Sequence, residues 1–376
     1  MRIGFDAKRL FHNATGLGNY SRTLVKNLAD AHPEFTYHLY TPRAAANNYA
    51  RTFDAGQGFQ VHTNPGPLPA AVWRSLTMTR DLRRDGIDLY HGLSHELPRG
   101  LKRAGIRSVV TIHDLIFRRH PEWYGLADRL IYDLKFGDAC RRADRVIAIS
   151  AHTKRDIVEL YKIDPERIDV VYQSCDPIFY TKATETGELE RRYALPHEFL
   201  LFVGSLTPRK NLPLILDAYL QLSATDRLPL VIVGRGTGYR KRLLADGRYT
   251  SLHHLIHWID DLDDTRLLRQ LYGRAIALLY PSHYEGFGLP VVEALLSGTA
   301  VITSSTSSLL EAGGPGALYV DPTSPEEMAE ALLHVTGDTK LRRRLVVQGG
   351  AYARTTFDAE ATTDKLVASY RQAVVG

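Results

Sequence analysis

Two parallel α/β sheets, one in each half of the chain, are predicted by three features of the sequence. Short β-rich runs alternate with amphipathic helical stretches from end to end. The same order restarts after the polar stretch 181–190. Residues with reactive or charged side chains recur where the strand runs stop, the place where open parallel sheets bind ligands. In the first half the strand runs are Ile3–Asp6, Thr36–Tyr40, Gly58–His62, Leu89–His91, Ser108–His113 and Arg145–Ser150, with helical segments at Tyr20–Asp30 and Ala71–Arg84 between them. In the second half the strand runs are Phe199–Gly204, Pro229–Gly234, Ile256–Trp258, Ile276–Tyr280 and Ala300–Thr303, separated by helical segments at Leu212–Leu222, Asp264–Gly273 and Leu289–Ser297. Three helical segments close the chain near 324–335, 338–354 and 358–373, the last with Ala361, Leu366, Val367 and Tyr370 on its packing face.

A chain of 376 residues, 44% hydrophobic and 24% charged, is long enough for two cored domains. Two cysteines, Cys140 and Cys175, make neither a disulfide framework nor a metal cluster, which points to a reducing compartment. Met1-Arg2-Ile3-Gly4-Phe5-Asp6 reads directly as a strand rather than a signal peptide, and no apolar run reaches membrane-spanning length. The net charge of +5 is uneven: residues 1–180 hold 26 Lys and Arg against 20 Asp and Glu, residues 181–376 hold 21 against 22. A basic half suits nucleic acid, anionic lipid, an anionic substrate or simply a solvated surface. Nucleic acid is the weakest of these, since neither a zinc-finger spacing nor a basic region with heptads is present.

The strand-end loops carry the chemistry. Gly16 and Gly18, just before the first helix, permit tight backbone beside free helix N–H groups, an anion cradle or an ordinary turn. His113-Asp114 ends the fifth strand run, with His113 placed to meet a ligand or to serve as a satisfied structural histidine, and Asp114 to orient it or cap the next segment. Ser150 reads as a helix N-cap. Arg209 and Lys210 follow the strand at 199–204 and offer a fork and a point charge to phosphate oxygens. Gly234 lies in the second flexible loop, Val233–Gly238. The run His283–Ala294 is the strongest local pattern: Glu285, then Gly286-Phe287-Gly288-Leu289-Pro290 entering a helix, then Glu293 inside it. A carboxylate within Leu-Pro-Val-Val-Glu-Ala-Leu-Leu needs a partner.

From Glu285 to Glu293 the chain resembles the Glu-x7-Glu motif of retaining glycosyltransferases, family 4 in particular, and the other loops occur in that family's order. The resemblance implies the GT-B fold, two Rossmann-like domains facing each other across a cleft. It implies an acceptor-side domain at 1–172, a donor-side domain at 173–355, and a C-terminal helix at 356–376 that crosses back to the first domain. Residue by residue, it implies that Gly16 and Gly18 lie near the donor phosphates or acceptor and that His113 meets the donor sugar. Arg209 and Lys210 then neutralise the diphosphate, Glu285 faces the transferred sugar, Glu293 binds the ribose, and the backbone of Phe287, Gly288 and Leu289 contacts sugar hydroxyls or phosphate. Bacterial mannosyltransferases of surface polysaccharide assembly are the nearest flavour, which implies GDP-mannose as donor, with UDP-glucose, UDP-N-acetylglucosamine and UDP-galactose left open. One segment departs from the pattern: Tyr172-Gln173-Ser174-Cys175-Asp176-Pro177 stands where many members have Asn-Gly.

The reaction so implied transfers a hexose with retention, by front-face attack in which the departing phosphate oxygen takes the acceptor proton and Glu285 positions the sugar. No cofactor and no divalent metal is called for, since Arg209 and Lys210 supply the positive charge. Competing readings are a related epimerase or phosphorylase and a noncatalytic sugar-nucleotide-binding subunit. The expected partners are the nucleotide sugar, a saccharide acceptor linked to polyprenyl diphosphate, and the anionic inner-membrane surface, visited by a cytoplasmic enzyme. Oligomeric state is unreadable. For membrane contact the segment with Arg118, Arg119, Trp123, Tyr124, Arg129, Lys135, Arg141 and Arg142 is the candidate, although Asp128, Asp133 and Asp138 interrupt it.

Overall fold

A computed structural model of the chain describes residues 1–375 except 14, 46, 65 and 182–186, so much of the polar stretch 181–190 lies outside the described residues. The chain divides into two compact units, Met1–Ser174 with Phe357–Gly376, and Cys175–Thr356.

The first unit holds seven parallel strands: β1 (Arg2–Asp6), β2 (Thr36–Thr41), β3 (Phe59–Thr63), β4 (Leu89–Gly92), β5 (Arg107–Ile112), β6 (Arg145–Ala148) and β7 (Ile168–Val170). Their order in the sheet is β3-β2-β1-β4-β5-β6-β7. The second unit holds β8 (Leu200–Val203), β9 (Leu230–Val233), β10 (Ile256–Ile259), β11 (Ala277–Tyr280), β12 (Ala300–Ser304) and β13 (Ala317–Val320), ordered β10-β9-β8-β11-β12-β13. Both sheets therefore run outward in one direction from their first strand and then reverse, β1 beside β4 and β8 beside β11. Each reversal opens a crevice at the carboxyl ends of those two strands, where open α/β sheets take their ligands. β7 and β13 are additions to the strands read from sequence: the first is three residues long, and the second follows a Gly-Pro-Gly turn, so neither has a run long enough to show a period.

The central strands are uniformly apolar because both faces are covered. Leu200–Val203, Leu230–Val233 and Ala277–Tyr280 are buried at every position. Covering helices include α1 (Gly16–Ala31), α2 (Leu126–Arg142), α3 (Ala151–Tyr161), α4 (Leu212–Gln221), α5 (Thr265–Arg274), α6 (Leu289–Leu296), α7 (Pro325–Gly337), α8 (Thr339–Thr356) and α9 (Ala359–Val375). Ser150 caps α3 as read from the sequence, accepting from the Thr153 N–H at 2.9 Å. The helix expected at 71–84 is broken by a π-helical turn at Trp73–Thr77, which carries Arg74 into an ion pair with Asp6 at the end of β1. α9 belongs to the first unit: its Tyr370 is buried and its hydroxyl lies 2.6 Å from Nδ1 of His91 on β4.

Candidate active site

In the second unit the crevice between the ends of β8 and β11 receives Arg209 and Lys210 from one loop and Glu285 from the other. Arg209 Nη1 and Lys210 Nζ both reach Oε1 of Glu285 at 2.6 Å. Lys210 and Glu285 are buried, so these are charge-assisted bonds in a low-dielectric setting. Burial alone would push the Glu285 carboxyl up, but Lys210 and Arg209 outweigh it and hold it down at about 2. The Tyr280 hydroxyl adds a bond to Oε1 at 3.3 Å, and the Lys210 ammonium lies 4.5 Å from the Tyr280 ring centre. Oε2 has no side-chain partner among the described residues, which leaves it able to accept from a hydroxyl.

Local chain geometry fixes this cluster. Asn211 adopts a left-handed conformation (φ 57°) that ends the 208–210 turn, and its side-chain amide donates to the Pro322 carbonyl at 2.8 Å. Arg209 is clipped to the opposite loop twice: its guanidinium donates to the Tyr284 carbonyl at 2.7 Å, and its own carbonyl accepts from the His283 N–H at 3.0 Å. The Ser308 hydroxyl sits 2.8 Å from the carbonyl of Glu285 and 2.9 Å from that of Phe287, while the Glu285 N–H donates to Ser307 Oγ at 3.0 Å. These serines and Tyr280 were not singled out from sequence, because their role exists only once β12 lies beside β11.

Gly288 turns the chain into α6 at φ 120°, and Pro290 fills the first turn as the sequence suggests. Leu289 begins the helix; Pro290 has no N–H and the Val291 N–H donates to the Gly288 carbonyl at 2.9 Å, so among the described residues the Leu289 N–H is what the first turn has left to offer. Phe287 is buried beneath this turn. Glu293, one turn in, has its Oε2 2.9 Å from the Tyr272 hydroxyl, its partner within the apolar run. Burial pushes its carboxyl up to about 7, against the opposing hydrogen bond from Tyr272, and nearby Asp176 adds to the rise. The two glutamates of one motif are thus shifted in opposite directions. Gly234 has a structural reason of its own: a Cβ there would lie 1.9 Å from the Gly204 carbonyl oxygen.

In the first unit, Gly16 and Gly18 are not a loop ahead of the helix but lie within its first turn. A Cβ at Gly18 would meet the Asn13 carbonyl oxygen at 1.8 Å, and the Gly18 N–H is taken by the Thr15 carbonyl (2.9 Å) and Asn13 Oδ1 (3.2 Å). Gly16 has open space around it. His113 is buried directly after β5. Its Nε2–H donates to the Leu93 carbonyl at 2.9 Å and its Nδ1 accepts from the Gln173 amide at 3.3 Å, which defines the neutral tautomer. Burial lowers its pKa to about 4, partly offset by the Leu93 bond. Asp114 Oδ1 accepts from the Ile116 N–H at 3.2 Å, the capping role. The Tyr20 ring of α1 meets His113 edge-on at 4.7 Å. Gln173 lies in the segment that departs from the family pattern, and that departure was the available signal for it.

His95 was missed. It follows β4, on the loop at the reversal of the first sheet, in a left-handed conformation (φ 62°) that is costly for a residue with a Cβ. Its ring stacks on Phe136 at 4.1 Å, meets His113 at 5.1 Å, and has a buried Nδ1 without a hydrogen-bond partner among the described residues. Among the described residues, no group of three His, Cys, Asp or Glu side chains is placed to hold a metal ion. Cys140 and Cys175 are free and buried, and burial pushes the Cys140 thiol up to about 12.

Two family models match the chain in succession: Glycosyltransferase Family 4 over residues 14–178 and Glycosyl transferases group 1 over residues 190–350. The O-antigen chain mannosyltransferase B of Escherichia coli is 27% identical over 394 residues, covering 99% of this chain and all of its own. Among solved structures, sucrose-phosphate synthase from Thermosynechococcus elongatus superposes with a TM-score of 0.80 at 20% identity, covering 99% of this chain and 98% of its own. Anabaena HepE in complex with UDP-glucose gives 0.77 at 17% identity and 99% coverage of both chains.

Proposed function

Since the chain belongs to glycosyltransferase family 4 and has the two-sheet GT-B architecture, we propose that it moves mannose from GDP-mannose, with retention, onto a hydroxyl of a growing cell-surface saccharide carried on a lipid diphosphate. The observation that carries the reading is the buried convergence of Arg209, Lys210 and Glu285 in the crevice of the second sheet, one turn of chain away from the start of α6. The mannosyl part rests on the likeness to an O-antigen mannosyltransferase along the whole chain.

In this reaction the bond from the anomeric carbon to the diphosphate oxygen breaks, and the acceptor oxygen bonds to that carbon from the same face. The acceptor proton passes to the departing phosphate oxygen, so no protein base is consumed. Negative charge grows on the diphosphate, and in this reading Arg209, Lys210 and the Leu289 N–H at the start of α6 stabilise it; losing one such donor costs roughly 3–4 kcal/mol of barrier. Glu285 keeps the two cations in place through Oε1 and offers Oε2 to a sugar hydroxyl. A carboxylate held ionised by two cations is a poor nucleophile, which favours a positioning role over a covalent ester. Glu293, about half protonated near pH 7, can both donate to and accept from ribose hydroxyls.

A turnover screen of GDP-mannose, UDP-glucose, UDP-N-acetylglucosamine and UDP-galactose against lipid-linked and short alkyl-linked saccharides tests the reading, with the product anomer assigned by NMR. GDP-mannose is expected to be the preferred donor, its anomeric configuration kept, with turnover unchanged by EDTA. Preference for a UDP-sugar, an inverted product, or a glycosyl adduct trapped on Glu285 of the intact enzyme overturns the corresponding part.

A further inference from the structure

The first sheet reverses between β1 and β4, and the loops leaving those two strands carry more positive than negative charge. Asp6 ends β1, and Glu96 follows β4. Arg74 is ion-paired with Asp6 and lies 3.4 Å from Oε2 of Glu96, whose Oε1 takes Lys135 at 3.0 Å. Both carboxylates are therefore occupied. Lys8 and Arg9 come next after Asp6 and Ala7, each half-buried. Neither side chain has a hydrogen bond or a carboxylate partner among the described residues. Only the Lys8 backbone is held, its N–H donating to Asp6 Oδ1 at 3.1 Å.

Arg74 explains why Lys8 stays free. The π-helical turn at Trp73–Thr77 brings that guanidinium onto the other oxygen of Asp6, the acid that would otherwise pair with the lysine beside it. Burial, and then the charges of Arg74 and Arg9, push the Lys8 ammonium below its ordinary value, the mark of a cation short of counter-charge. The histidines of the same crevice supply none. Burial holds His95 and His113 neutral, and the Arg9 charge adds to that effect in both. Four cations thus face two carboxylates, which leaves two positive charges at the reversal of the sheet, where ligands of open α/β sheets bind. A guanidinium fork beside an ammonium matches phosphate oxygens, and a diphosphate ester brings about two negative charges to meet them. A single carboxylate would leave one cation unmet.

We infer that Lys8 and Arg9 bind the diphosphate ester of the acceptor in the crevice of the first sheet. The inference rests on the lipid-diphosphate acceptor of the proposed function and gives that group a place in the chain. In the same reading the donor's diphosphate belongs to Arg209 and Lys210 of the second unit, so the two diphosphates are met by separate pairs of cations.

The test gives the full chain two soluble acceptors with the same saccharide, one on a short alkyl diphosphate and one on a neutral alkyl group. The parent should have a KM for the diphosphate acceptor at least about tenfold below that for the neutral one, which two charge-assisted contacts are enough to supply. In the double variant Lys8→Met, Arg9→Met that ratio should fall to about one, while Lys8→Arg, which keeps the charge, holds it. Isothermal titration with butyl diphosphate needs no turnover, and the double variant should bind it at least about tenfold more weakly than the parent. Should the double variant melt early, Arg9→Gln alone is expected to lower the KM ratio at least about threefold. A parent without preference, a variant that keeps the preference, or unchanged butyl diphosphate binding overturns the site. So does an equal rise in the KM for the nucleotide sugar, which would assign the two cations to the donor. If no donor and acceptor pair turns over at all, the proposed function fails on its own, and the titration still decides the site.

Discussion

Arg209 and Lys210 converge on a single oxygen of Glu285, so each of the three depends on the others. Replacing Glu285 by Gln would leave the buried Lys210 without its counter-charge. We expect a loss of about 3 kcal/mol in urea unfolding and at least about a hundredfold loss in kcat. The pH dependence follows from the same pair. Because the Glu285 carboxyl titrates near 2 in the folded chain against an ordinary 4.5, its contribution is complete above pH 4.5 and is lost as the pH falls towards 2. Glu293 behaves in the opposite sense. With its carboxyl raised to about 7, the folded state holds a proton that the unfolded state releases, so stability falls as pH rises from 4.5 to 7. Glu293→Gln should therefore raise the unfolding free energy at pH 8 by on the order of 1–3 kcal/mol, seen as a higher Tm, and leave Tm nearly unchanged at pH 4.5. A Tm gain of equal size at both pH values would show that ionisation is not the cause. Donor affinity should fall in the same variant, since an amide cannot present the same donors and acceptors to a ribose.

At the scale of an element, the entry to α6 decides where the Leu289 N–H stands in the crevice. Gly288 makes that turn at φ 120°, and a Cβ there would approach Leu309 Cδ2 to 2.9 Å and Ala312 Cβ to 3.2 Å. Gly288→Ala meets both strain and crowding, and we expect it to cost about 2 kcal/mol and to raise the KM for the donor more than it lowers kcat. Calorimetry and initial rates separate the two effects; unchanged KM would detach the helix start from donor binding. Gly234 and Gly18 teach a complementary lesson. Gly18 was read as part of an anion cradle or an ordinary turn and Gly234 as part of a flexible loop, and in both the immediate need for glycine is a backbone carbonyl, of Asn13 and of Gly204, lying where a Cβ would be.

Across the whole molecule, the last helix is tied to residues far back in the sequence. Tyr370 of α9 reaches His91 on β4 at 2.6 Å; His91 reaches Thr111 on β5 at 2.8 Å; and Thr111 reaches Tyr20 of α1 at 3.0 Å. Tyr20 then packs against His113. This buried polar chain is continuous, and removing one link leaves a neighbour unsatisfied. Tyr370→Phe should cost about 1–3 kcal/mol, and kcat should fall a few-fold, with Tyr370→His restoring less than the parent. If kcat is unchanged while stability falls, the network is structural only. Ser369 adds a second tie, its hydroxyl 2.6 Å from Asp169 at β7.

The sequence by itself determined the two cycles of strand and helix, since apolar runs bounded by turn residues report their own period wherever they are long enough. It also determined which loops carry charge, because Arg209, Lys210, Glu285 and Glu293 stand against apolar or glycine-rich neighbours that make each conspicuous. Tertiary structure alone decided their states. Glu285 and Glu293 are the same residue type eight positions apart, yet one is held ionised by two cations from another loop and the other is pushed up to about 7 by burial, against the hydrogen bond from Tyr272. Pairing of distant loops sets that difference, and no local pattern encodes it. His95 was invisible for the same reason, and Gln173 showed only as part of a departure from the family pattern: the meaning of both lies in contacts with His113 made across 18 and 60 positions of chain.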